Sequence, residues 1–254
     1  MEGGAMKPGL HHNMPEREYH AHPAVNASGL KRILQSPAHY KLHLEPSDAM
    51  DLGSAVHTEV LGVGAPVTYI DLASWGVGAK KQREEIRAAG GIALLEKDRE
   101  QVEGMAASVQ AHPYARWLFS DGHPEVSAFC EDAEWRIVRR ARFDWLRPDG
   151  VIVDLKTTRS ADPRQLGYAV RDFGYDLSAA WYIDVAEALD HPVPDFALVF
   201  VESSKPYRVV VANLSPERIT KGRSKYLTAL ERLRDCTEAD LWPAYTTADL
   251  ITIN

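Results

Sequence analysis

Ala141-Arg-Phe-Asp144-Trp-Leu-Arg147-Pro-Asp-Gly150-Val151-Ile-Val-Asp154-Leu-Lys156-Thr-Thr158 is the stretch that decides the fold. Two apolar, β-prone runs flank Pro148-Asp149-Gly150, and glycine suits the left-handed position of a three-residue hairpin loop. With Arg147 and Val151 closing that loop, Asp144 falls directly opposite Asp154. Opposed side chains share one face with Cβ atoms about 5 Å apart. Lys156 lies two residues further on, so the strand's period of two brings it to the same face. Two carboxylates and one ammonium therefore converge. A hard divalent cation such as Mg²⁺ takes carboxylate oxygens together with water and substrate phosphate. A lysine beside it can orient an attacking water or neutralise charge on a phosphoryl oxygen. The same residues could equally form an exposed ion pair on a surface hairpin, and the hairpin alone leaves both readings open.

Asp144, followed by Asp154-Leu155-Lys156 after a hydrophobic strand, resembles the core of the PD-(D/E)XK nuclease superfamily. The wider run is similar to the RecE-like (exonuclease VIII-like) exonucleases of phages and prophages. Three further blocks follow that pattern in order. Leu52-Gly-Ser-Ala-Val-His57-Thr-Glu-Val-Leu-Gly62 resembles the family helix that carries a histidine near the metal. Val25-Asn26-Ala-Ser28-Gly-Leu30 with Ser36-Pro37-Ala38-His39-Tyr40 resembles its opening, and Gly174-Tyr175-Asp-Leu-Ser178-Ala-Ala-Trp-Tyr182 resembles the helix after the core. Many relatives carry Gln-x-x-x-Tyr in that last helix, and here Ser178 stands at the Gln position with Tyr182 at the Tyr.

The resemblance implies a restriction-endonuclease-like α/β core, a mixed sheet flanked by helices behind a helical N-terminal region. It implies Mg²⁺, with Mn²⁺ as a substitute, held by Asp144, Asp154, His57 and the backbone carbonyl of Leu155. Lys156 positions the nucleophile or stabilises the transition state, and Glu125 stands where relatives carry an acidic residue on the first core strand. Without the family pattern, His57 reads as a structural histidine and Glu125 as an exposed strand-end residue.

Composition fits such an enzyme. The chain has 254 residues and 45% hydrophobic content, enough for one large domain over residues 21–254 behind a flexible segment 1–20. No apolar run approaches the roughly 20 residues that span a bilayer, and the polar, His- and Pro-containing start lacks a secretory pattern. Cys130 and Cys236 are too few for a disulfide framework or a cysteine zinc site. A bacterial cytoplasm is expected, with a phage or prophage origin implied by the resemblance.

The net charge of −7 requires basic groups to be gathered on the DNA path. Arg136, Arg139, Arg140 and Arg142 crowd the strand leading into Asp144. Strand parity puts Arg140 and Arg142 on the Asp144 face, with Arg136, as phosphate contacts, and sends Arg139 to the other face. Ser178 and Tyr182 complete the expected DNA-binding set. Lys80, Lys81, Arg83 and Arg87, and again Lys221, Arg223 and Lys225, read better as solvated faces.

Elsewhere, Asn26 or Ser28 caps a short helix. His39 and His43 stand one helical turn apart without a third ligand, as on a plain amphipathic helix. Residues 63–79 read as a Gly-rich connector and 80–110 as one helical stretch. Pro163 at a first helical turn, the apolar run 196–202, a strand over 207–212 and a last helix from Ser215 complete the pattern. The expected reaction is phosphodiester hydrolysis on double-stranded DNA ends, 5′ to 3′. It would leave a 3′ overhang for a single-strand annealing partner, with a homo-oligomeric ring as in relatives. Two other readings are a nicking or structure-specific endonuclease and an inactive DNA-binding module.

Overall fold

A computed structural model of the chain describes residues 6–42 and 45–245. In chain order the elements are β1 (Gly9–His11), α1 (Glu16–Ala21), α2 (Ala27–Gln35), α3 (Pro37–Lys41) and α4 (Asp48–Leu61). Then come β2 (Val67–Ile70), α5 (Val77–Ala88), β3 (Ile92–Leu95), α6 (Arg99–Ala111) and α7 (Pro113–Leu118). The second half holds β4 (His123–Asp132), β5 (Ile137–Leu146), β6 (Ile152–Thr158), α8 (Pro163–Asp172), α9 (Tyr175–Glu187), β7 (Phe196–Glu202), β8 (Val209–Asn213) and α10 (Pro216–Ala239).

Local chemistry sets the helix ends. Asn26 Oδ1 accepts from the Gly29 N–H at 2.7 Å and caps α2. Ser36 ends α2 and caps α3, and its hydroxyl lies 2.6 Å from His39 Nδ1. His43 lies outside the described residues. Gly62, at φ 71°, closes α4 in the left-handed conformation that glycine tolerates.

Six strands form one mixed sheet in the order β1-β4-β5-β6-β7-β8. Only β6 and β7 run parallel, joined by the α8–α9 crossover, and the other pairs are antiparallel. One face is covered by α2, α9 and α10, where Leu30, Ile33, Trp181 and Leu230 meet Phe143, Leu198 and Phe200. The other is covered by α4, α6 and α7, where Val56, Met105 and Leu118 meet Leu155 and Val199. Strand β7 is buried on both faces, which is why 196–202 is continuously apolar. The expected α/β fold, a mixed sheet between helical layers, is the one observed.

Two expectations are corrected. Residues within 1–20 are part of the fold, because β1 pairs Gly9 with Phe129 and His11 with Ser127 on β4. Tyr19 of α1 packs on Phe129, so this segment covers a sheet edge that would otherwise leave its amides unpaired. Residues 1–5 lie outside the described residues. The stretch 80–110 is two helices separated by β3, which pairs parallel with β2 from within the supposed connector. Gly90, at φ 83°, ends α5. Ile92 and Leu94 then face α4 and α6 while Ala93 and Leu95 face α5. Burial on both sides removes the alternation that would have marked a strand.

In both outlying basic clusters the arginines and Lys225 are paired internally, while Lys80, Lys81 and Lys221 are exposed. Arg83 and Arg87 each donate to Asp51 Oδ2 at 2.7 Å. Lys225 donates to the fully buried Asp176 carboxylate at 2.8 and 2.9 Å, and Arg223 to Asp184 at 2.6 Å, tying α10 to α9. Among the described residues no helix is long and apolar enough to cross a membrane.

Candidate active site

The hairpin forms as its sequence predicts. Arg147 donates its N–H to the Val151 carbonyl at 3.0 Å, the Gly150 N–H returns to the Arg147 carbonyl at 3.0 Å, and Gly150 takes φ 84°. Leu146 then faces Ile152 and Trp145 faces Val153. The next pair in this register is Asp144 and Asp154, and there the ladder stops. Strand β6 continues along β7 instead, from Ile152 opposite Phe196 to Thr158 opposite Glu202.

A wedge opens between β5 and β6, and the Leu155 N–H, left without a strand partner, donates to Asp144 Oδ2 at 2.7 Å. Face alternation slips at this point: Phe143 packs in the layer of α9 but Trp145 in the layer of α7. Residues two apart on a regular strand would share a face.

Three elements converge on the wedge. From α4, His57 places Nε2 2.9 Å from the Leu155 carbonyl oxygen and Nδ1 3.6 Å from Asp144 Oδ2. From β6, Lys156 Nζ lies 2.7 Å from Asp154 Oδ2 and 3.9 Å from Asp144 Oδ2, and donates to the Leu155 carbonyl at 3.2 Å. From β4, Glu125 neighbours Asp144 in the β4–β5 register. It adopts φ 51°, a left-handed conformation rare outside glycine. Such backbone strain costs on the order of 1–3 kcal/mol and persists where surrounding structure demands it. His57, Glu125 and Asp144 each offer a ligand atom within 4.8 Å of the others. His57 and Glu125 border a cleft of about 140 Å³ shared with Glu16 and Arg142. A larger cavity of about 250 Å³, at the start of α4 beside Trp75, contains none of these residues.

Charge in the wedge is unbalanced. Burial, with help from Asp144, pushes the Asp154 carboxyl up against the pull of Lys156. Burial and Asp144 likewise push Glu125 up against the pull of Arg142. Burial opposes the Lys156 charge, yet Asp154 and Asp144 outweigh it and hold the ammonium above its ordinary value.

The residues fit a divalent cation. Asp154 Oδ2 is buried without a directed hydrogen-bond donor, since Lys156 sits near it but off the hydrogen-bond line. His57, Glu125 and Asp144 bring three ligand atoms within 4.8 Å of one another, and the His57 Nε2–H donates to the Leu155 carbonyl at 2.9 Å, which leaves Nδ1 as the free ring nitrogen. Carboxylate and carbonyl donors suit hard cations such as Mg²⁺ or Mn²⁺, while the imidazole favours softer ones such as Fe²⁺ or Zn²⁺.

The expected DNA-binding residues fare differently. Arg140 and Arg142 do share a face, both lying over the Tyr19 ring, and Arg139 lies on the other face over Trp181. But Arg140 is only 6% exposed and donates to the Tyr19 carbonyl. Arg142 is committed to Glu125 and to the Met14 carbonyl, the latter at 3.1 Å. These arginines hold α1 to the sheet, which corrects their reading as a free phosphate-facing pair. Arg136 is exposed in the β4–β5 turn, eight residues along the strand from Asp144, so it does not border the wedge. Ser178 is 5% exposed, which removes it as a direct DNA contact, and Tyr182 packs its ring between Phe143 and Phe196. Lys31 of α2 and Tyr175 of α9 stand beside Lys156 and were not singled out. Tyr175 lies in the Gly174–Tyr182 block that resembles the family, whereas Lys31 falls just past the Val25–Leu30 block and carries no signal of its own.

A family model described as a PDDEXK-like domain of unknown function (DUF3799) matches residues 26–252. The chain belongs to this family. The PDDEXK-like domain shares its fold with a solved structure from Eubacterium rectale described as a "Putative exonuclease". That likeness has a TM-score of 0.65 and 14% identity, and covers 94% of this chain and 92% of the other. A phage related exonuclease from Haemophilus somnus 129PT matches at 12% identity over 86% of this chain and 97% of its own, with a TM-score of 0.39. No curated protein matches the chain in sequence. Family and fold together make this a PDDEXK-like domain with a restriction-endonuclease-like α/β core.

Proposed function

We propose that the protein is a metal-dependent, RecE-like exonuclease that hydrolyses linear double-stranded DNA from its ends, 5′ to 3′, with Mg²⁺ as the natural cation. The observation that carries this is the wedge, where Asp144, Asp154, Lys156 and His57 surround a carboxylate oxygen left without a directed donor. Asp144, Asp154, His57 and the Leu155 carbonyl are the residues to hold the cation, with Glu125 at the rim. A divalent cation bound there polarises the phosphate and lowers the pKa of a coordinated water. Lys156 stays protonated at neutral pH because two carboxylates face it. It therefore serves as a fixed positive charge for the phosphoryl oxygens and not as the base. The Leu155 N–H fixes Asp144 Oδ2, the same oxygen that faces His57 and Lys156. The product would be a 3′ overhang suited to a single-strand annealing partner.

Linear and covalently closed circular duplexes incubated with Mg²⁺ test this reading. End-labelled linear DNA should shorten from its 5′ termini while the circle stays intact. Cutting of the circle would make the protein an endonuclease, and binding without cleavage in Mg²⁺ or Mn²⁺ would make it an inactive module.

A further inference from the structure

Lys31 reaches the wedge from α2. Its Nζ donates to the Phe173 carbonyl at 3.3 Å, and among the described residues no carboxylate pairs with it. It lies 5.9 Å from the centroid of the Tyr175 ring, and Lys156 Nζ lies 5.6 Å from the same centroid. Two ammonium groups thus share one aromatic ring, and only Lys156 has carboxylate partners. Burial, followed by the charge of Lys156, lowers the Lys31 pKa to about 8 against the weaker, longer-range pull of Asp154 and Asp176. A desolvated cation beside another cation is costly unless an anion completes the arrangement.

The surrounding turn is shaped around this lysine. Gly174 adopts φ 62°, and a Cβ there would meet Lys31 Cδ at 2.8 Å, so glycine alone lets the α8–α9 turn pass the lysine stem. The same turn projects Phe173, which is 62% exposed and stacks on Tyr175 with centroids 5.7 Å apart. An exposed ring beside a cation with no carboxylate in contact is the pairing by which proteins hold unpaired nucleic-acid strands.

We propose that Lys31, Phe173 and Tyr175 form a nucleotide seat next to the catalytic wedge. Lys31 takes a phosphate of the strand being cut, neighbouring the scissile one, and Phe173 stacks on an unpaired base of that strand. The substrate class is therefore the frayed end of a duplex. The proposal rests on the nuclease reading above.

The test uses the full chain with Ca²⁺ in place of Mg²⁺ and linear duplexes carrying 2-aminopurine in their terminal nucleotides. Wild type should quench the fluorophore on binding. Phe173→Ala should abolish that quenching and weaken binding about 5- to 150-fold, the scale for one lost base stack, with the salt dependence unchanged. Lys31→Gln should flatten the slope of log K against log salt by about 0.7 to 0.9, the contribution of one phosphate contact, and raise KM more than it lowers kcat in Mg²⁺. Lys31→Arg should restore the slope. A wild type that binds and cuts while both variants keep its salt slope and quenching would overturn the seat alone. A wild type that neither binds nor cuts linear duplex in Mg²⁺ or Mn²⁺ would overturn the nuclease reading and the seat with it.

Discussion

Asp154 and Lys156 face each other at a depth where either charge alone would be costly, with Asp154 2% exposed and Lys156 Nζ 2.7 Å away. Removing one partner of such a pair strands the other, at about 3–5 kcal/mol. Asp144 remains 3.9 Å from the ammonium, so Asp154→Ala should fall near the low end, about 3 kcal/mol by urea denaturation. Cleavage should vanish while duplex binding in Ca²⁺ persists, and robust hydrolysis by this variant would refute the metal assignment. Lys156→Ala should lower turnover by about two to three orders of magnitude with metal affinity retained in calorimetry. Loss of metal binding would instead make Lys156 structural.

Lys31 gives a pH signature. Its folded pKa of about 8 lies below the ordinary 10.5, so the unfolded chain binds more protons between those values and stability rises with pH there. Lys31→Met should therefore be more stable than wild type at pH 7, with the difference shrinking from pH 8 to 10.5 in thermal melts. Asp144, Asp154 and Lys156 were legible because one local hairpin places all three. Arg140 was legible in parity but not in burial, since the Tyr19 that covers it lies far back in sequence. Lys31 was hidden because α2 brings it to the wedge from a distant part of the chain.

Elements with their own local signals were read well. The run 196–202 became β7, Pro163 opened α8 and Ser215 capped α10. The β2–β3 pair escaped because burial on both faces erased alternation and because parallel pairing leaves no hairpin signal. The contact between α9 and α10 supplies a test of packing against propensity. A Cβ at Gly222 would drive far inside contact distance of the Asp176 carbonyl oxygen, which belongs to a helix backbone. Alanine gains about 1 kcal/mol of helix propensity over glycine, but overpacking a rigid contact costs about 1–3 kcal/mol. Gly222→Ala should lower the melting temperature, and a rise would mean that the two helices part without cost.

At the scale of the molecule, a net charge of −7 coexists with arginines that are largely committed to internal carboxylates and carbonyls. The protein should therefore neutralise few DNA phosphates, and the salt dependence of duplex binding should be shallow for its size, near the contribution of two or three contacts at about 0.9 each. Arg140→Gln should leave that slope unchanged and lower the melting temperature, because its role is to hold α1. A flattened slope in this variant, with stability intact, would return Arg140 to the DNA path.

The change of partner by β6, from β5 to β7, also orders events in time. Every residue proposed to hold the cation has been synthesised once Lys156 is made, yet β7 is still to come. Without β7 nothing draws β6 away, so the hairpin can zip past Asp144 and close the gap in which the reaction would occur. A truncated chain ending near residue 190 should therefore be inert on DNA despite carrying its full catalytic set. The half-made polypeptide would carry no open wedge, which appears only when the last quarter of the chain, from Phe196 onward, arrives.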